Sequence, residues 1–225
     1  MKFDTVAYLR KATSRAKSDV ANKLISMLLH EISRRVVASV GMGVTDPAYT
    51  REVVAAFGDK CAYCQRVLEA DRASVEHLEG MNRFRIGLHV PGNVVLACKK
   101  CNGSKRNDDQ RASLLLAETG WESFLAHDGS RCDAGCKTCA YWQSIWPNAE
   151  ERKEMLRATA QKIAEFRRPY TTSTDWSART RAAIKDKINV LYRECQESAN
   201  SQIQAAAAAL FEELNGIGRT QKGES

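Results

Sequence analysis

Apolar residues recur at intervals of three and four positions near both ends of the chain, which is the spacing of one face of an α-helix. Over residues 1–40 they fall in two neighbouring rows, one of Val20, Leu24 and Leu28 and one of Ile25, Leu29, Ile32 and Val36. Toward the other end, one stripe passes through Ile184, Ile188, Leu191, Cys195, Ile203, Leu210 and Leu214. Both ends are therefore predicted to be helical, with Gly216 as a natural helix stop.

The middle of the chain has a different pattern. Asp46 and Pro47 are typical of a helix start and Gly58 of a helix end, so a short helix is predicted between them. The stretches "SVEHL" and "NVVLAC" are short and strand-like, and a further helix is predicted from Asn102 through "ASLLLAE". The predicted fold class is mainly α with a small α+β core.

These patterns divide the chain into five predicted parts. Residues 1–57 form an N-terminal helical region, and residues 58–120 form a core that holds two cysteine pairs. Residues 121–147 form a segment rich in cysteine and aromatic residues, and residues 148–216 form a C-terminal helical region. Residues 217–225 are predicted to be a disordered tail.

Charge and apolar content narrow the class of protein. The 225 residues include 34 Lys and Arg against 27 Asp and Glu, a formal net charge of +7. This excess favours an anionic partner, of which nucleic acid is the commonest. No apolar run approaches the roughly 18 residues of a membrane span, and the N-terminus lacks the apolar stretch of a signal peptide. A cytoplasmic protein with no membrane partner is expected, in which the eight cysteines are metal ligands or buried thiols.

Two Cys-x-x-Cys pairs predict a structural zinc site. The pairs are Cys61 with Cys64 and Cys98 with Cys101. Each pair presents two thiolates to one ion, and four thiolates close a tetrahedral site that has no open position for chemistry. A redox-active Cys-x-x-Cys is the alternative, but two pairs in this arrangement favour zinc.

Polar residues around the second cysteine pair carry the candidate chemistry. Glu76 and His77 stand together on the first predicted strand, Asn93 opens the second, and Asn102 and Lys105 follow the last cysteine. Zinc fixes both ends of this segment, so the strands are expected to fold back against the helix and bring Glu76 near Asn102. A carboxylate and an amide oxygen suit Mg²⁺, and a neutral imidazole beside them can accept a proton from water. These are the parts of metal-assisted phosphodiester hydrolysis.

The motif "CAYC … VEH … PGNVVLACKKCNGSK" resembles the HNH (His-Asn-His, ββα-metal) endonuclease family in its zinc-knuckle form. The resemblance covers about residues 58–107 and implies a ββα-metal core. It has two departures from the commoner pattern. Glu76 stands where Asp is usual, and Asn102 stands in place of His, which is a frequent variant in this family.

The resemblance implies a role for each matching residue. His77 would be the general base that activates water, and Asn93 would orient His77 through a backbone carbonyl. Glu76 and Asn102 would hold a catalytic Mg²⁺ or Mn²⁺ that stabilises the leaving 3′ oxygen. The four cysteines of the two pairs would bind structural zinc.

Basic side chains crowd this region and are predicted to contact phosphates rather than to form only a solvated face. They are Arg83, Arg85, Lys99, Lys100, Lys105 and Arg106. Two histidines outside the motif are given lesser roles. His89 is expected to be a surface or supporting residue, and His30 a structural residue of the first helix.

A second cluster, "HDGSRCDAGCKTC", offers His127, Cys132, Cys136 and Cys139 for a second zinc ion. Its Cys-x3-Cys-x2-Cys spacing is also that of radical S-adenosylmethionine enzymes, but Thr138 stands where an aromatic residue is usual. His127 is favoured over Cys195 as the fourth ligand, and free cysteines in a loop are the alternative.

Together these features predict a metal-dependent HNH endonuclease that acts on DNA, with RNA left open as a substrate. The family implies a role in restriction, defence or phage biology. The flanking helices are expected to supply recognition or homodimerisation. The alternative is a non-catalytic, zinc-containing module that binds nucleic acid.

Overall fold

The computed structural model describes the backbone of residues 5–111, 120–130 and 132–220. Within these ranges it describes the side chains of residues 20–105, 120–130, 132–170, 179 and 182–212. No helix in these ranges is both long enough and apolar enough to cross a lipid bilayer.

Most of the described chain is helical, and a single hairpin forms the sheet, which confirms the predicted fold class. The elements are α1 (Thr5–Val40), α2 (Pro47–Phe57), β1 (Ala73–His77), β2 (Val94–Cys98), α3 (Lys99–Arg111), α4 (Trp121–Leu125), α5 (Lys137–Ile145), α6 (Ala149–Arg167), a 3₁₀ turn (Arg168–Tyr170) and α7 (Thr171–Thr220).

The chain divides into two compact units. The first combines α1 up to Ile25 with α7 from Asp186 onward. Ile25 and Ile188 are buried there, whereas Leu24, Ile203 and Leu210 from the predicted apolar rows are exposed.

The end of α7 differs from the predicted stop. The helix continues past Gly216 to Thr220, because an interior glycine costs a helix only about 1 kcal/mol relative to alanine. The rest of the predicted tail, residues 221–225, lies outside the described residues.

The second unit comprises Ser26–Lys185 and contains the sheet. Its helix α2 begins and ends as predicted. The Asp46 side chain accepts a hydrogen bond from the Ala48 amide at 2.7 Å, Pro47 occupies the first turn, and Gly58 ends the helix with a φ of 61°. These local signals orient the chain that enters the first cysteine pair.

Strands β1 and β2 form an antiparallel pair, with Ala73 opposite Cys98 and His77 opposite Val94. Helix α3 follows β2 directly and contacts both strands, so the order is strand, strand, helix. It begins at Lys99, before the predicted start at Asn102, because the second cysteine pair itself forms the first turn. The predicted continuation of this helix through residues 112–119 lies outside the described residues.

An aromatic core supports the sheet and the cysteine pairs. Trp142, Phe124 and Tyr63 are fully buried, and the Phe124 ring lies 5.3 Å from that of Tyr63 and 4.7 Å from that of Trp142. The Trp142 indole donates a hydrogen bond to the Phe124 carbonyl at 2.8 Å. The aromatic residues of 121–147 therefore belong to the same core as the residues around the hairpin.

Candidate active site and metal centres

The two cysteine pairs converge on one point. Cys61 and Cys64 lie in the turn after α2, Cys98 ends β2, and Cys101 lies in the first turn of α3. Their sulfur atoms all lie within 4.8 Å of one another, and those of Cys64 and Cys98 are 3.9 Å apart. Because a Zn–S bond of about 2.3 Å gives a tetrahedron with edges of about 3.8 Å, this spacing fits one zinc ion.

Backbone amides donate hydrogen bonds to two of the four sulfur atoms, as they do to metal-bound thiolates. The Cys98 amide donates to the Cys61 sulfur at 3.3 Å, and the Cys101 amide donates to the Cys98 sulfur at 3.4 Å. Within the group, the hydrogen bond with Cys101 lowers the pKa of Cys98 and lowers that of Cys64 to about 7, whereas hydrogen bonds among the thiols raise the pKa of Cys61 and Cys101. The donor set therefore fits a closed structural site that ties the hairpin to α3.

The second cluster also assembles. His127 Nδ1 lies 3.2 Å from the Cys132 sulfur and 3.3 Å from the Cys136 sulfur, and Cys139 completes a group whose ligand atoms lie within 4.8 Å. Cys136 caps the start of α5 and accepts a hydrogen bond from the Cys139 amide. Among the described residues this group contains His127 and not Cys195, as predicted, and it can hold a second zinc ion.

A cleft of about 400 Å³ lies between β1, α3 and the part of α1 in the same unit. Glu76, His77, Asn102 and Lys105 all line it, so most of the predicted catalytic residues meet at one place. Its other lining residues are Ser26, His30, Val75, Gly80, Met81 and Asn82.

Glu76 forms a buried ion pair. Lys105 Nζ lies 2.6 Å from Glu76 Oε1, and the side chains of Lys105 and Glu76 are 4% and 5% exposed. The Tyr63 hydroxyl donates to the same oxygen at 3.1 Å. Lys105 thus lies beside the carboxylate at the cleft, and its contact with phosphate stays a prediction.

Asn102 lies on the same side of the hairpin. Its Nδ2 donates to the Ser74 hydroxyl at 3.1 Å, which leaves its amide oxygen available to a cation. Glu76 and Asn102 are two hard oxygen ligands of the kind that Mg²⁺ or Mn²⁺ uses. These are the two described side chains that offer oxygen ligands for such a cation at this point. Lys105 already neutralises the charge of Glu76.

His77 makes its closest polar contact with a residue that was not assigned to the site. His77 Nε2 lies 2.9 Å from His89 Nδ1. Burial, followed by the charges of His89 and Lys105, lowers the pKa of His77 to about 3. The imidazole is therefore neutral near pH 7, the form that accepts a proton.

Asn93 fixes the loop between the strands. Its Oδ1 accepts from the Glu79 amide at 2.7 Å, and its Nδ2 donates to the carbonyls of Glu79 and Leu88 at 3.0 and 2.7 Å. The His77 carbonyl instead accepts from Lys105 Nζ at 2.6 Å. Asn93 therefore fixes the backbone of the loop that follows His77, and its role in orienting His77 stays a prediction.

The predicted phosphate-binding residues occupy different environments. Arg85 is buried, and its guanidinium lies 3.5 Å from the Glu79 carboxylate, which also faces Arg167 at 3.6 Å. Arg85 is thus a core residue. Arg83 packs its guanidinium 4.1 Å from the ring centre of Phe84.

Among the predicted phosphate-binding residues whose side chains are described, the exposed ones lie at the start of α3. Lys99 and Lys100 are both exposed, and the Lys99 ammonium group donates to the carbonyl of Asp71. The side chain of Arg106 lies outside the described residues. Lys99 and Lys100 are therefore the members of the predicted set that the structure leaves accessible to an anionic partner.

Sequence reasoning missed the parts of the site that depend on tertiary contacts. His30 lines the cleft, His89 contacts His77, and Glu79 anchors a buried charge group. The only sequence signal for His89 is its place just before the "PGN" turn.

The sequence matches no protein-family model, and a search of curated proteins also found no match.

Proposed function

We propose that this protein is a metal-dependent endonuclease of the HNH type that hydrolyses phosphodiester bonds in DNA. The observation that carries the proposal is the gathering of Glu76, His77 and Asn102 at one cleft. That cleft adjoins a hairpin and helix tied together by four cysteines. A zinc-pinned strand, strand and helix with these three side chains is the combination that the sequence resemblance implies.

Each side chain has a distinct part in the proposed reaction. Neutral His77 accepts a proton from water, and the oxygen so activated forms the new bond to phosphorus while the bond to the 3′ oxygen breaks. Glu76 and Asn102 would hold a divalent cation, which would supply positive charge near the leaving oxygen. Lys105 holds the carboxylate in place and adds a second positive charge.

The second candidate function is a non-catalytic, zinc-containing module that binds nucleic acid. The observation that favours it is the buried pair of Glu76 and Lys105. A carboxylate that is neutralised by a lysine and bonded to Tyr63 needs no cation. The two candidates therefore differ in whether Glu76 binds a divalent cation.

A plasmid-cleavage assay tests the proposal. Wild type should convert supercoiled DNA with Mg²⁺ or Mn²⁺ and not with chelator, and His77→Ala should lose about 10²–10⁴-fold in rate, the usual effect of a positioned base. Glu150→Ala, an exposed change on α6, is the control. Both variants must retain zinc by elemental analysis. Equal cleavage by wild type and His77→Ala, or no cleavage of DNA or RNA with either metal, would refute the proposal.

DNA as the partner is tested through salt. Affinity for duplex DNA should fall by about 0.9 logarithmic units per contacted phosphate for each decade of salt. The double variant Lys99→Glu/Lys100→Glu should flatten this slope, because both side chains are exposed at the start of α3. An affinity that does not change with salt would indicate another kind of partner.

A further inference from the structure

Two imidazole rings meet at the edge of the cleft in a way that constrains their protons. His77 Nε2 and His89 Nδ1 are 2.9 Å apart, and the ring centres are 5.1 Å apart. Two N–H groups cannot point at each other over this distance, so one nitrogen carries the shared hydrogen and the other accepts it. The contact therefore links the tautomer of His77 to that of His89.

The backbone around His89 is fixed on both sides. The His89 amide donates to the Ser33 hydroxyl at 2.8 Å, and that hydroxyl donates to the Leu29 carbonyl at 2.6 Å. Ser33 is 2% exposed. On the other side, the Leu88 carbonyl accepts from Asn93. His89 thus stands in a loop that is anchored to α1, and its ring is held against His77 rather than placed freely in solvent.

We propose that His89 is a positioning residue whose Nδ1 accepts the Nε2–H of His77 and thereby keeps Nδ1 of His77 free to accept a proton. With this polarity both rings adopt the Nε2–H tautomer, which is intrinsically the preferred form of neutral histidine. The opposite polarity would place both rings in the less favoured Nδ1–H form. It would also occupy the acceptor nitrogen of His77 and leave no lone pair for water.

The inference goes beyond the proposed nuclease function. It rests on that function only for the role of His77 Nδ1 in accepting a proton from water. The state of the two rings is a property of the protein alone. It can be measured without any substrate, so a failure of the positioning role is distinguishable from a failure of the nuclease.

The geometry identifies which substitutions should replace His89. Asparagine places its side-chain oxygen where Nδ1 of histidine lies, so His89→Asn retains an acceptor for His77. Glutamine extends toward the Nε2 position, so His89→Gln lacks the acceptor at the required place. His89→Ala removes the contact altogether. His30→Ala is the control, because the His30 ring lies 5.4 Å from that of His89 but does not take part in the hydrogen bond.

The first experiment is long-range ¹H–¹⁵N correlation NMR on the zinc-loaded, full-length protein near neutral pH. The chain has four histidines, so substitution assigns each ring. His77 should be a single Nε2–H tautomer in wild type, His30→Ala and His89→Asn, and a tautomer mixture in His89→Ala and His89→Gln. An Nδ1–H His77 in wild type, or a His77 signal unchanged in folded His89→Ala, would overturn the proposal.

The second experiment measures cleavage. His89→Ala and His89→Gln should lower kcat by on the order of 10²-fold with little change in KM, because they misplace the base without removing a substrate contact. His89→Asn should recover most of that loss. If His89→Gln and His89→Asn have equal kcat values, loss of the acceptor at Nδ1 does not explain the lower kcat of His89→Ala. If wild type cuts no substrate while the NMR result holds, the positioning role stands and the nuclease assignment fails.

Discussion

The buried pair of Lys105 and Glu76 gives the sharpest test of how this core is stabilised. Lys105→Met keeps most of the side-chain volume but removes the ammonium group that lies 2.6 Å from Glu76. Glu76 would then remain about 95% buried, with the Tyr63 hydroxyl as its remaining donor among the described contacts. Removing one partner of a buried ion pair costs about 3–5 kcal/mol, because the other charge is left uncompensated. We expect a loss in that range.

The double variant Glu76→Gln/Lys105→Met tests whether the two side chains contribute to stability as a coupled pair. Gln can still accept from Tyr63 and carries no charge, so the double variant should recover most of the stability that Lys105→Met loses. The free energy of unfolding is measured by urea titration at fixed excess zinc, because metal loss would otherwise shift the equilibrium. A loss below about 1 kcal/mol in Lys105→Met, or strictly additive losses in the double variant, would contradict a coupled buried pair.

The same variant distinguishes the two candidate functions. If Glu76 is a cation ligand, Mn²⁺ should replace the lost ammonium group and stabilise Lys105→Met by about 2.7 kcal/mol at one hundred times its dissociation constant. Lys105→Met/Glu76→Gln is the control and should not respond. A Lys105→Met protein that Mn²⁺ leaves unchanged would favour the binding module.

Three further predictions concern metal content, pH and backbone fit. Purified protein should hold about two zinc ions per chain by elemental analysis. Cys136→Ser should retain one zinc ion. Cys98→Ser should lose the other zinc ion and, with it, local structure that circular dichroism detects. Because the pKa of His77 is lowered to about 3 from an ordinary 6.5, the unfolded chain binds more protons between these values. Stability should fall as pH drops below about 6.5, by up to about 1.4 kcal/mol per pH unit relative to His77→Gln. Gly87→Ala should lower the melting temperature, since its Cβ would lie 1.9 Å from the Glu79 carbonyl oxygen.

Features that depend on neighbouring residues could be predicted from the sequence. The start and end of α2 follow from Asp46, Pro47 and Gly58, which act through their own backbone and side-chain hydrogen bonds. The antiparallel hairpin and the four-cysteine group follow from spacing, because each Cys-x-x-Cys pair forms a local turn around its sulfur atoms. Zinc-ligand chemistry then requires the two pairs to meet.

Features that depend on distant residues could not be predicted. Arg85 is predicted to contact phosphate, but it is buried beside the Glu79 carboxylate, which also faces Arg167 of α6. His89 was expected to be a surface or supporting residue, and its contact with His77 depends on a loop that Ser33 anchors from α1. No periodicity along the chain encodes such contacts, since they depend on how the loop between β1 and β2 folds against α1 and α6.

The length of the acidic side chain at position 76 determines which partners it reaches. Glu76 lies on β1 and reaches both Lys105 on α3 and the Tyr63 hydroxyl in the first cysteine turn. An aspartate is shorter by one methylene group, so it could not hold both contacts without movement of the strand or the helix. The glutamate therefore joins the first cysteine turn to α3 through one oxygen, and the described contacts leave its second oxygen unoccupied. A divalent cation at the proposed site would therefore use the second carboxylate oxygen of Glu76 and would not have to displace the ammonium group of Lys105.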